Sequence, residues 1–372
     1  MRWGTAAMVA AAAVGAGTAA VLLLGRRASD GVVRPGRALP GAGADLRVHD
    51  LAPGGVVLTR STATTRPGRY ALEWPDGGHA VVGEVLGTGP QTVTRRLEQV
   101  DGGSLRIGDQ VELTPRVYVG DPRSALGLDH RDTTVIGELG DLPAWYVDGT
   151  RGTWVILVHG PGTDRSQALP VLPLLHRLRL PSLSITYRGD QGAPSSPDRL
   201  GHFGETEWQD VEAAIQLAME SGAGRVILYG WSVGATMVLQ AAARTAWSEK
   251  VAGLVLDSPV LDWSQTVRRE RARSGVSAAL AELGALAAEG RSRVDLAGFA
   301  RLASGADLDM PTLLLHSPAD SIAPWDAAAR LADLRGDLVS LHAIPRAEHA
   351  ALWNADPTGY TETLRRWLTP LL

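Results

Sequence analysis

The stretch that most constrains the fold covers residues 225–240, Arg-Val-Ile-Leu-Tyr-Gly-Trp-Ser-Val-Gly-Ala-Thr-Met-Val-Leu-Gln. Its first half is β-branched and aromatic and reads as a buried strand; its second half reads as a helix. Between them lies Gly230-Trp231-Ser232-Val233-Gly234, a G-x-S-x-G pentapeptide. On a tight strand-to-helix turn, a serine hydroxyl projects from the carboxyl end of a sheet, and the helix directs its positive end at charge developing there. The two glycines leave room for strand and helix to approach. Alone the pattern is a common accident; set between a strand and a helix it is a strong signal for a nucleophile.

A chain of 372 residues exceeds one typical domain, so a core domain plus an extension is expected. With 45% hydrophobic and 20% charged residues, it suits a globular body with a large core. A net charge of −4 gives no reason to expect nucleic acid as a partner. The absence of cysteine excludes disulfides, thiolate metal sites and a cysteine nucleophile. Nearly every cation is arginine, Lys250 being the only lysine, which reads as genome composition.

Residues 1–28 form a separate object. An Ala/Val/Gly/Leu run follows Arg2 and meets no charge until Arg26-Arg27, close to the ~20 residues that cross a bilayer as a helix. We expect an uncleaved single-pass membrane anchor. A cleaved signal peptide is the competing reading, weakened because arginines and not an A-x-A site follow the apolar run. Arg26, Arg27, Arg34 and Arg37 outweigh Arg2, so the positive-inside rule favours a cytoplasmic catalytic domain.

Residues 29–44, mainly Gly, Pro, Arg and Ala, read as a linker. From 45 to 130, short strand candidates at 56–59, 70–74, 79–86, 91–94 and 110–113 alternate with Gly/Pro/Asp turns, predicting a small β-rich extension. No catalytic constellation is visible in it, and Asp50, Asp129 and His130 read as turn residues. From 131 to 372 strands alternate with helices, which implies an α/β fold: a mostly parallel sheet with helices on both faces. Thr206 and Gln209 predict a capping box ahead of a helix whose Trp208, Val211, Ile215 and Ala218 share one face. Helical patterns at 263–273, 276–289 and 294–303 read either as a modest lid over 258–309 or as ordinary crossover packing.

A serine alcohol needs a base, and the base an orienting acid. Asp320 lies in a loop after the apolar strand at 311–316, and His349 lies just after the last strand at 338–344. Asp326 reads as a first-turn helix charge, and His316 and His342 as structural strand residues.

From about residue 133 onward the chain resembles the α/β-hydrolase-fold serine hydrolases. The resemblance rests on His159-Gly160 after a buried strand, Tyr187-Arg188-Gly189, the Ser232 turn, Asp320 with Pro324 four residues on, and His349. Among subfamilies it is similar to bacterial esterase and aminopeptidase-like members, including actinobacterial ones with a β-rich N-terminal extension. The resemblance implies a Ser232–Asp320–His349 triad with no cofactor or metal. It also implies an oxyanion hole built from backbone amides, one of them that of Val233. The second donor position falls on Pro161, which has no N–H, so Gly162 is expected to take over. Trp231, Trp263, Trp325 and Trp353 are the expected pocket walls, each with core packing as the alternative.

The reading is a serine hydrolase acting on an ester, thioester or amide in a small-molecule or peptide acyl substrate. The first rival is an aminopeptidase-like enzyme that would use Asp190 or Glu207 to hold an amine. The second is a catalytically silent binding protein.

Overall fold

The computed structural model describes residues 46–273, 290 and 295–372. The expected anchor at 1–28, the linker at 29–44 and the helix expected over 276–289 fall outside the described residues. Among the described residues, no helix is long and apolar enough to cross a membrane.

Six antiparallel strands come first: β1 Leu46–Ala52, β2 Gly55–Thr59, β3 Tyr70–Trp74, β4 Gly78–Thr88, β5 Thr92–Gly102 and β6 Gln110–Thr114. They close into a barrel in the order β1-β2-β5-β4-β3-β6. Closure pairs β6 back onto β1, with Leu46 opposite Val111, and so removes the open edge that short strands otherwise expose. Val48, Val56, Leu58, Leu72, Val82 and Val93 form its apolar core. Arg95 on β5 is also fully buried. Burial lowers its pKa, yet its charge is met by carbonyl oxygens of Thr64, Arg66, Gly68 and Gly83, to which the guanidinium donates.

After the short helix α1 Pro122–Leu126 the chain builds an eight-stranded sheet. Its strands are β7 Arg131–Gly137, β8 Gly140–Val147, β9 Thr153–Val158, β10 Ser182–Ile185, β11 Arg225–Trp231, β12 Val251–Asp257, β13 Thr312–His316 and β14 Val339–Ala343. The order is β14-β13-β12-β11-β9-β10-β8-β7, parallel except where β8 pairs with β10 and β7. The helices are α2 Leu172–Arg177, α3 Trp208–Glu220, α4 Val233–Arg244, α5 Trp263–Arg273, α6 Leu296–Ala303, α7 Trp325–Leu334, α8 Leu352–Ala355 and α9 Pro357–Leu368. The unbroken apolar run of β9 reflects burial on both faces. Ile156 and Val158 pack with α3 and α4, whereas Val155 and Leu157 pack with α2 and α9.

The expected capping box at Thr206 and Gln209 does not form. Helix α3 begins at Trp208, and the Glu207 carboxylate instead accepts the backbone N–H groups of His202 (2.7 Å) and Gly204 (3.0 Å). The Thr206 hydroxyl is buried without a partner. The N-cap is Glu207, one residue later than the box requires, and the Gln209 N–H that the Thr206 hydroxyl would have accepted turns to the Thr206 carbonyl at 3.3 Å.

Candidate active site

Strand β11 stops at Trp231 and α4 starts at Val233, which leaves Ser232 alone on the turn at φ 55°, ψ −120°. That backbone conformation is costly for a non-glycine residue and persists only where its surroundings enforce it. The enforcement is visible in the glycines. A Cβ on Gly230 would sit 2.3 Å from the Gly234 carbonyl oxygen, and one on Gly234 would sit 2.3 Å from that of Val158. The Ser232 N–H donates to the Asp257 carbonyl (2.8 Å), tying the turn to the neighbouring strand.

The loops after three strands meet at this turn. Ser232 Oγ lies 2.7 Å from His349 Nε2, and His349 Nδ1 lies 2.8 Å from Asp320 Oδ2. The other oxygen of Asp320 accepts the N–H groups of Ile322 and Ala323, both at 2.8 Å. Burial pushes the Asp320 carboxyl up, but the His349 charge and these hydrogen bonds outweigh it and hold its pKa below the usual value. Burial likewise pushes His349 down, yet the Asp320 charge and hydrogen bond leave its pKa above that of an ordinary imidazole. Asp320 is thus an anion, and it fixes the Nδ1–H tautomer that turns Nε2 toward the serine.

The other candidates fall elsewhere. Asp326 is exposed in the first turn of α7. His316 is fully buried, 3.7 Å from Asp320 Oδ2, with its pKa lowered chiefly by burial. His342 reaches Thr363 Oγ1 at 3.4 Å. Trp231 stacks on Tyr229 and lines a cavity with Trp353, whereas Trp263 packs on Phe203 and lines a different cavity. Trp325 packs against the His316 ring, 5.8 Å between centroids. Neither of those two cavities includes it in its lining.

As the first residue of α4, Val233 carries an N–H with no carbonyl of its own helix in reach. The loop opposite it is braced. His159 lies with Nε2 2.8 Å from Asp190 Oδ2 and Nδ1 2.9 Å from the Gly160 carbonyl. Both of these neighbours are acceptors, which favours the protonated ring. Burial opposes that charge, but the Asp190 carboxylate prevails and raises its pKa. The Gly160 N–H donates to Gln167 Oε1 (2.8 Å). Gly162 then turns at φ +72°, a conformation that glycine adopts without strain.

Sequence reasoning missed Asp257, a second buried carboxylate beside the site. It accepts hydrogen bonds from Tyr360 OH (2.7 Å) and Ser258 Oγ (2.9 Å). Burial pushes its pKa up to about 6. An acid ending an apolar strand next to the strand that leads into Ser232 was the available signal. Among the described residues, no cluster of three or more His, Asp or Glu side chains could hold a metal ion.

Comparison with known proteins agrees with this architecture. A family model described as a domain of unknown function (DUF8805) matches residues 47–114, the barrel. The uncharacterized protein YfhR of Escherichia coli K12 is 24% identical over 242 residues, 63% of this chain and 76% of that protein. An esterase of Pyrococcus furiosus, Pf2001, superposes with a TM-score of 0.56 at 16% identity, over 68% of this chain and 95% of the esterase. Another crystal form of that esterase gives 0.55 at 17% identity, over 69% and 98%. At such identities these solved structures speak for the fold alone. The Alpha/beta hydrolase family model matches residues 155–371, more than half of the chain, from within β9 through every later strand, and the chain belongs to that family.

Proposed function

We propose that the chain is a serine hydrolase that cleaves a carboxylic ester, or a thioester or amide, through an acyl-enzyme. The observation that carries this is the unbroken hydrogen-bond chain Ser232–His349–Asp320 at 2.7 and 2.8 Å. Ser232 Oγ attacks the carbonyl carbon while its proton passes to His349 Nε2. The imidazolium returns that proton to the departing oxygen, sulfur or nitrogen, and the leaving group goes. Water then repeats the sequence, with His349 taking its proton, and frees the acid. Asp320 stabilises the imidazolium without itself becoming protonated.

The aminopeptidase-like alternative loses support. A substrate ammonium would need a carboxylate, yet Asp190 is engaged by His159 and by the Tyr187 N–H, and Glu207 by backbone amides. Covalent labelling by a fluorophosphonate probe, mapped to Ser232, tests the proposal and separates an enzyme from a silent binding protein. An unlabelled folded protein would refute it.

The oxyanion reading supplies its own test. One donor in such a hole is worth about a hundred- to a thousand-fold in kcat. With Val233 as one donor and proline unable to be the other, Gly162 supplies the second amide. Pro161→Ala is then expected to be neutral or slightly faster, and Gly162→Val to lose about a hundred-fold through its positive φ. A hundred-fold loss from Pro161→Ala in the folded protein would overturn the assignment.

We also propose that residues 1–28 anchor the enzyme in a membrane. Deleting them is expected to release an active protein into the aqueous fraction, since β9 and all later strands lie far downstream. A native N-terminus beyond residue 25 would favour cleavage and secretion instead.

A further inference from the structure

The barrel touches the catalytic domain at a telling place. Its 62–69 loop, between β2 and β3, is fastened from within by Arg95, whose guanidinium binds three of that loop's carbonyls. Arg66 on this loop pairs with Glu348, the residue before His349, and both side chains are largely buried. The Arg69 N–H donates to the Asn354 carbonyl (2.7 Å). The Asn354 amide donates back to the carbonyls of Arg69 (2.9 Å) and Pro115 (2.8 Å). Gly68 lies so close that a Cβ there would stand 1.9 Å from the Asn354 carbonyl oxygen. Ala351, two residues past His349, is packed into the barrel's own apolar cluster. On the other side the Ala350 N–H donates to Ser258 Oγ (3.1 Å), and the Glu348 carboxylate also accepts from Ser321 Oγ.

We infer that the barrel is a positioning module for the catalytic base: Arg95 shapes the 62–69 loop, and that loop fixes the 348–354 segment that carries His349. The inference rests on the serine-hydrolase reading. A base whose Nε2 must stay within hydrogen-bond reach of Ser232 Oγ gains from being held on both sides. A displacement of about 1 Å at such a group can cost a hundred-fold in rate. Arg66 also has an electrostatic part, because it sits against the Glu348 carboxylate, whose charge raises the His349 pKa.

The groups facing His349 are Ser232, Asp320 after β13, Asp257 at the end of β12, and Glu348 on its own loop; His316 lies beyond Asp320, and Arg269 of α5 donates to the Asp320 carbonyl (3.3 Å). Among these groups, Arg66→Ala changes the compensation of Glu348, which keeps its hydrogen bond from Ser321 Oγ.

The experiment uses the full-length chain, p-nitrophenyl butyrate and the fluorophosphonate probe. Arg66→Ala is expected to lower kcat about ten-fold with KM unchanged. It should also move the acid limb of the kcat profile to higher pH, because a less compensated Glu348 holds the proton on His349 more tightly. Arg66→Lys should restore most of the rate. Glu348→Gln, which keeps side-chain volume, should move the limb the other way, and it carries the test alone if Arg66→Ala fails to fold. A purely structural contact would change the melting temperature and leave both limbs in place. Wild-type kcat with unshifted limbs in both variants, or a rise in KM alone, would overturn the inference. Wild-type protein that neither reacts with the probe nor turns over the ester would instead refute the hydrolase reading itself.

Discussion

Ser232→Ala and His349→Ala are each expected to lower kcat by about a million-fold while leaving the fold intact. The size follows from how little either group does alone. A serine hydroxyl is a weak nucleophile at neutral pH, and it becomes useful only as its proton leaves for a base already within 2.7 Å. Removing the base therefore removes the nucleophile as well. The double variant should cost little more than either single one, because the two act as a unit. Stability should move little in Ser232→Ala: the side chain is small, and its backbone N–H keeps the bond to Asp257. Some relief of the φ 55° strain would require glycine, so Ser232→Gly is not an equivalent control. Steady-state hydrolysis and probe labelling, checked against circular dichroism, decide the matter. Two single variants that each retained appreciable turnover, with losses that simply multiplied in the double variant, would mean that Ser232 and His349 are not one machine.

How far the sequence was legible depended on whether local pattern or long-range pairing decided the outcome. The β11–Ser232–α4 turn was legible because β-branched residues, two glycines and a helical run specify it within a few positions. His349 and Asp320 were legible because each follows an apolar strand, which puts it at the carboxyl edge of a parallel sheet. The capping box failed because the helix starts at Trp208 with Glu207 at its N-cap, so the Gln209 N–H meets the Thr206 carbonyl, a one-residue shift that a three-residue spacing does not reveal. Strand β1 and barrel closure were not legible, since Leu46 meets Val111 across most of the barrel's length. For the same reason nothing in the 62–69 segment announced that it would lie against the residues flanking His349: the Arg66–Glu348 pair spans a separation of 282 positions. Asp257 was passed over because the pattern sought an acid after the next strand and stopped when it found one.

Asp320→Asn is expected to cost about ten-thousand-fold in kcat, less than either Ser232 or His349 but far more than any other carboxylate here. The geometry gives the reason. Asp320 presents one oxygen to His349 Nδ1 and the other to the N–H groups of Ile322 and Ala323. An asparagine has one oxygen and one NH2 to divide between those neighbours. Two fixed backbone donors claim the oxygen, because turning the NH2 toward them would bury two donor–donor clashes. The NH2 then faces Nδ1 and can be accommodated only if Nδ1 is the acceptor. That places the imidazole proton on Nε2, opposite Ser232 Oγ, where a base is needed. Volume is conserved, so the fold should survive and the loss belongs to the tautomer. Asp326→Asn, at an exposed first-turn residue, should be neutral. Asp257→Asn should cost little, since Asp257 receives hydrogen bonds from Tyr360 and Ser258 and has no direct hydrogen bond to His349. Should either of these two variants prove more damaging than Asp320→Asn, the acid that orients His349 would have to be reassigned to it.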